Sequence, residues 1–266
     1  MKIPFWKYHG NGNDFVITDN RSGFFPVGNQ ALVKAICNRN FGVGADGMML
    51  LEDAEGFDFH MRYFNSDGLE GSMCGNGGRC MVHFAKEIGL IKKTAIFSGI
   101  DGTHEATLDH NDIVHLKMQD VTEITKNDQA YIINTGSPHY ILFAGGINEL
   151  DVVEEGRKIR YNREYSEEGI NVNFVEPAGD DILIRTYERG VENETLACGT
   201  GSVAAALCTV IKSGNERNRI TIQTKGGPLE VSFRRTGKSS FSDIWLTGPA
   251  RKVFSGTLET GALTVT

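Results

Sequence analysis

Two stretches of the chain repeat one order of apolar and polar positions. The first reads "VGADGMMLLEDAEGFDFHMRYFNSDGLEGSMCGNGGRCMVHFAKEIGL" and the second "EGINVNFVEPAGDDILIRTYERGVENETLACGTGSVAAALCTVIKSG". Each opens on a short apolar run (48–51; 172–175) followed by an acidic turn. An alternating segment comes next (57–64; 182–187), then a polar loop and a Cys-Gly-x-Gly string. The alternation predicts strands. Beyond each Cys-Gly string, apolar residues at three- and four-residue spacing predict helices over 77–89 and 201–213, ending near Gly89 and Gly214. Further strands are expected at 94–98, 105–108 and 113–118, with counterparts at 220–224, 229–233 and 244–247. Even the openings match, "HGNGNDFVITD" against "NTGSPHYILFA".

A chain written twice predicts two similar lobes. The expected class is α+β: two pseudo-symmetric lobes, each a mostly antiparallel, barrel-like sheet around one long central helix. The expected boundaries are 1–120 for the first lobe and 121–260 for the second, with 261–266 returning to the first. Two equivalent lobes facing each other would bring both Cys-Gly turns to one cleft, a favoured place for a ligand.

Composition narrows the class. The 266 residues are 40% hydrophobic and 23% charged, as in an ordinary globular protein. The net charge is −7 and no basic run occurs, so a nucleic-acid partner is not expected. "MKIPFWKYHG" lacks the apolar core of a signal peptide, and no apolar run would span a bilayer, so a cytoplasmic protein without a membrane partner is expected. Five cysteines, without Cys-x-x-Cys or His-x-x-x-His spacing, predict neither a disulfide framework nor a metal site. Cys37, Cys80 and Cys208 lie in apolar helical stretches and read as buried hydrophobes. "GNGND" leads into a strand rather than a helix and there is no P-loop, so no nucleotide cofactor is expected.

Cys74 and Cys198 differ, because each stands before a glycine-rich helix start. A helix start offers N–H groups and the positive end of the backbone dipole, which suit a carboxylate and favour thiolate over thiol. One α-amino carboxylate held at both starts would place its Cα between two sulfurs. One thiolate would then remove the α-proton while the other thiol delivers a proton to the opposite face. The N–H groups would stabilise the enolate-like charge as it develops. Asn13, Asn65, Asn171, Glu188 and Arg189 lie near the repeat boundaries and resemble a substrate-binding set, and Arg grips carboxylates in two-pronged fashion. His139 in "GSPHY" could orient or tune a thiol. Plain tight turns, redox pairing of the thiols and non-catalytic anion binding are the alternatives that the residues leave open.

These residues also carry a resemblance. Through "HGNGNDF", "RNFGVGADG", "FNSDGLEGSMCGNGGRC", "GSPHY", "INVNF" and "YERGVENETLACGTGS", the sequence resembles the diaminopimelate epimerase family along nearly its full length. The resemblance implies a cofactor-independent isomerase, commonly a homodimer, interconverting LL- and meso-diaminopimelate for lysine and cell-wall precursor synthesis. It makes Cys74 and Cys198 the two acid–base residues, with Gly75, Asn76, Gly199 and Thr200 holding the reacting carboxylate. Asn13, Asn65, Asn171, Glu188 and Arg189 would recognise the substrate, mainly its distal end, and His139 and Glu188 would adjust the cysteine environment. Another two-cysteine enzyme, such as a proline racemase or hydroxyproline epimerase, is the alternative, although those have His where Asn76 stands. Ser137, Gly47 and Leu69 depart from the family pattern, and Gly47 offers no side chain to the substrate where some members carry Gln.

Overall fold

The computed structural model describes residues 1–127 and 129–263. They form two compact units, Lys117–Gly248 and a first unit joining Met1–Leu116 to the segment from Pro249 onward.

In the first unit, β1 (Lys2–Gly10) pairs antiparallel with β2 (Asn13–Asp19). Helix α1 (Gln30–Cys37) carries the chain over to β3 (Gly47–Glu52), parallel to β2. Antiparallel β4 (Phe59–Asn65) follows, extended by the short β5 (Glu70–Gly71). After α2 (Gly75–Glu87), β6 (Thr94–Gly99) lies parallel to β4, and β7 (Gly102–Leu108) and β8 (Val114–Lys117) complete an antiparallel meander.

The second unit repeats this sequence of pairings. It runs through β9 (Ile124–Lys126), β10 (Tyr131–Asn134) and β11 (Pro138–Phe143), then α3 (Val152–Arg160) and parallel β12 (Asn171–Ala178). β13 (Asp181–Glu188) and β14 (Asn193–Thr195) precede α4 (Gly199–Ser213). β15 (Arg219–Thr224), β16 (Gly227–Arg235) and β17 (Phe241–Gly248) close the unit, with β15 parallel to β13.

Along β2, β3 and β12 the sheet is buried on both faces. Helix α2 touches β1, β2, β3 and β7, and ten of its residues, from Gly75 to Ala85, are buried, as a helix enclosed by a curled sheet requires. On the opposite face, Leu32, Val33 and Ile36 of α1 pack with Val16, Met48 and Leu50. Two buried faces explain why β3 reads as a continuous apolar run rather than an alternation. The sheets curl around α2 and α4 without closing: among the described residues, no pairing joins the ends of either ladder.

Two expectations need correction. The return to the first unit is made by the strand Arg251–Glu259, which pairs antiparallel with β1, so 249–260 does not belong to the second lobe. That strand occupies the outer position that β9 holds in the second unit. Most of its residues are exposed, so little hydrophobic alternation marks it in the sequence. Of the segment 261–266 expected to return, Gly261 and Ala262 belong to the 3-10 turn Thr260–Ala262, and 264–266 lie outside the described residues. The central helices also begin two residues earlier than predicted, directly after Cys74 and Cys198.

Candidate active site

In each unit the cysteine is the residue from which the central helix starts. Cys74 (φ −89°, ψ 130°) and Cys198 (φ −115°, ψ 116°) are both extended N-cap residues. Their carbonyls accept the first helical hydrogen bonds, from the Gly78 and Ser202 amides at 2.7 and 2.9 Å. The Gly-x-Gly string is therefore the first helical turn, the part of a helix whose amides its own ladder does not use. Its glycines answer to crowding rather than to a left-handed backbone. A Cβ on Gly77 would lie 3.1 Å from Met49 Sδ, and one on Gly201 would lie 2.5 Å from Asn173 Oδ1.

The first unit brings Asn13, Cys74 and Asn76 together. Asn13 Nδ2 donates to Asp46 Oδ2 at 2.6 Å, which turns Asn13 Oδ1 toward the helix start. That oxygen accepts from Cys74 Sγ at 3.6 Å and from Asn76 Nδ2 at 3.4 Å. Asp46 is held by Arg39 at 2.6 Å, and Arg39 also grips Asp14 through both terminal nitrogens. Burial pushes the Asp14 carboxyl up, but hydrogen bonds from Arg39 and Lys7 outweigh it and hold the group well below the usual carboxylate range. The "RNFGVGADG" segment thus serves to orient Asn13. Asn65 closes a tight turn at the end of β4, its amide donating to Leu69 O at 2.9 Å. Gly71 leaves room for it, since a Cβ there would lie 3.0 Å from Asn65 Nδ2.

Arg79 escaped the sequence reading. Its guanidinium is fully buried one turn behind Asn76, donating to Asn76 Oδ1 (2.9 Å), Asn11 Oδ1 (2.8 Å) and Gly75 O (3.3 Å). A lone Arg inside the run "GGRCMVHFA" was the available signal.

In the second unit, Cys198 Sγ lies 3.5 Å from Thr200 Oγ1, and Thr200 O accepts from Thr135 Oγ1 at 2.9 Å. Asn171 Nδ2 donates to Ser137 Oγ (2.8 Å) and Pro138 O (3.0 Å), while its Oδ1 accepts the Arg189 amide at 2.9 Å. Ser137 Oγ also receives Arg189 Nη2 at 3.4 Å, so Ser137 ties Asn171 to Arg189. Glu188 accepts from Thr195 Oγ1 at 2.8 Å. Glu188 and Arg189 are adjacent in the chain but are held by separate partners.

His139 is buried beside Asn173. Asn173 Nδ2 donates to the Tyr140 and Asn171 carbonyls and lies 3.1 Å from His139 Nδ1, while His139 Nε2 is buried with no hydrogen-bond partner among the described residues. Burial, with the Arg189 charge adding to it, lowers the His139 pKa to about 3, so the ring is neutral. Asn173 lies against Gly201 in the first turn of α4, which places His139 behind that turn. The other three cysteines are structural: Cys37 is pushed up to about 12 by burial, and burial likewise raises Cys80 and Cys208. Among the described residues, no group of three or more His, Cys, Asp or Glu side chains could hold a metal ion.

This duplicated architecture is shared by solved structures of low sequence identity. The structure of a hydroxyproline epimerase from Agrobacterium vitis superposes with a TM-score of 0.69 at 13% identity, covering 97% of this chain and 92% of that one. A phenazine biosynthesis protein of the PhzF family from Bacillus anthracis gives a TM-score of 0.75 at 14% identity, covering 97% and 99%. At such identities the likeness shows the fold alone. Sequence goes further. The family model for diaminopimelate epimerase matches residues 5–123 and 131–253, and the chain belongs to that family. A diaminopimelate epimerase of Flavobacterium psychrophilum is 49% identical, over 97% of this chain and all of that one. One of Chlorobaculum tepidum is 43% identical, over 94% and 98%.

Proposed function

We propose that this chain is a cofactor-independent epimerase that interconverts LL- and meso-diaminopimelate through Cys74 and Cys198. The observation that carries the reading is the matched pair of N-cap thiols, each opening a glycine-rich helix in a chain of this family. The substrate's reacting carboxylate sits on the first-turn amides at Gly75, Asn76, Gly199 and Thr200, where N–H groups and helix dipoles favour an anion. That field also lowers the cost of a thiolate. One thiolate takes the α-proton, the amides hold the enolate-like charge, and the other thiol returns a proton to the opposite face. Run backwards, the thiols exchange roles.

In this reading Asn13, Asn65, Asn171, Glu188 and Arg189 recognise the substrate. Asn13 and Arg189 are each held by side chains or carbonyls that fix their direction, which limits what is lost on binding. Neutral His139 and Glu188 adjust the setting of Cys198 without adding a positive charge. No described helix is long and apolar enough to cross a membrane, and together with family membership this supports a cytoplasmic enzyme. The homodimer rests on the resemblance, and light scattering at micromolar concentration tests it, a single 29.2 kDa species excluding it.

Reduced, chelator-treated protein incubated with LL-diaminopimelate, beside proline and hydroxyproline, should yield the meso isomer on chiral chromatography. Inversion of proline instead would replace the substrate and keep the chemistry. Inversion of none of the three would remove the function.

A further inference from the structure

Tyr63 is a half-buried phenol at the site end of the first unit to which the reading above gives no role. It stands on β4 with Met49 opposite it on β3. Its outer end does not lie over Met49, however. A Cβ on Gly47 would sit 2.5 Å from Tyr63 Cε2 and 2.9 Å from its hydroxyl oxygen. Gly47 pairs with Asn65 on one side and Phe15 on the other. The phenol therefore leans two positions along the ladder, toward the end that carries Asn65 and Asn13. The Phe15 ring meets it edge-on at a centroid distance of 6.1 Å. Gly71 borders its other edge, where a Cβ would lie 3.3 Å from Cδ1 and Cε1. Two glycines make room for one ring, and alternation along a strand puts Tyr63 on the same face as Asn65.

We propose that Tyr63 is a specificity-determining residue: its hydroxyl hydrogen-bonds the amino-acid group of the substrate remote from the epimerised carbon, and its ring covers the methylenes between. This rests on the epimerase reading above. A neutral phenol both donates and accepts, so it serves an ammonium or a carboxylate, and its apolar body suits an alkyl chain. Gly47 then leaves no gap in the site, because the space above it is occupied by a side chain from the neighbouring strand.

The test is steady-state epimerisation of LL-diaminopimelate by the parent, Tyr63→Phe and Tyr63→Ala, with thermal unfolding of each. Phe keeps the ring over Gly47 and removes only the hydroxyl. KM should rise about tenfold in Tyr63→Phe, as for removal of one hydrogen bond to a charged group, with kcat changed far less and cooperative unfolding retained. Tyr63→Ala should raise KM further, because the ring is removed as well. A Tyr63→Phe variant with parental KM overturns the inference and leaves the ring as a filler of the Gly47 hollow. A parent that turns over no diaminopimelate overturns the epimerase reading and takes this inference with it.

Discussion

Asn13, Asn171 and Asn173 each have an amide orientation dictated by a partner that can only accept, whether a carboxylate or backbone carbonyls. Side chains fixed in this way bind without reordering, which is how a small site becomes selective. His139 belongs to the same design, and its burial has a consequence for stability. Its native pKa is about 3 against 6.5 ordinarily, so between those values the unfolded chain takes up a proton that the native chain does not. This contribution is complete above about 6.5 and is lost as the pH falls toward 3. His139→Gln should therefore flatten the acid limb of the stability–pH curve relative to the parent, measured by urea unfolding across that range. Parallel curves would mean that His139 takes up its proton equally in the native and unfolded chains. Of these residues, the sequence alone makes Asn13, Asn171 and His139 visible through their motifs. Asn173 and Arg79 act from behind the helix starts, where only packing reveals them.

At the scale of elements, the central helices are held to their sheets by missing side chains. Gly201→Ala would drive a Cβ to 2.5 Å from Asn173 Oδ1 and 3.3 Å from Cys198 Sγ. It should cost about 1–3 kcal/mol of stability and most of the activity. Gly214→Ala, at the left-handed C-cap of α4 (φ 65°), should cost about 1 kcal/mol and leave turnover per folded molecule unchanged. Unfolding and rate measurements on both variants separate the two effects, and equal loss of activity would mean that the first turn has no special role. The alternating strands and both central helices were legible from periodicity. Helix α3 was not, because only Val152 and Gly156 are buried in it. Its glycine, an apparent helix breaker, is there because a Cβ would come within 2.4 Å of Tyr187 Cβ.

For the whole molecule, duplication explains the path of the chain. The second unit begins on the outer strand β9, so the first unit must obtain the equivalent strand from the far end of the sequence, and Arg251–Glu259 supplies it. Phe5 of β1 packs edge-on against Phe254 at 5.9 Å, and Leu258 packs against the cluster that holds Ile3 and Phe5. A chain ending at Gly248 should therefore lose the cooperative unfolding of its first unit and become protease-sensitive within 1–116, while 117–248 stays resistant. Unchanged resistance over both units would show that the strand is dispensable.

The central claim is that both thiols move protons at one carbon, and proton NMR in deuterated water with LL-diaminopimelate tests it most directly. The parent should replace one α-proton with deuterium as the meso isomer appears. Cys74→Ser and Cys198→Ser should each slow inversion by about a thousandfold or more, since a hydroxyl is a far poorer base near neutral pH. Inversion at the parental rate by either variant would contradict the account.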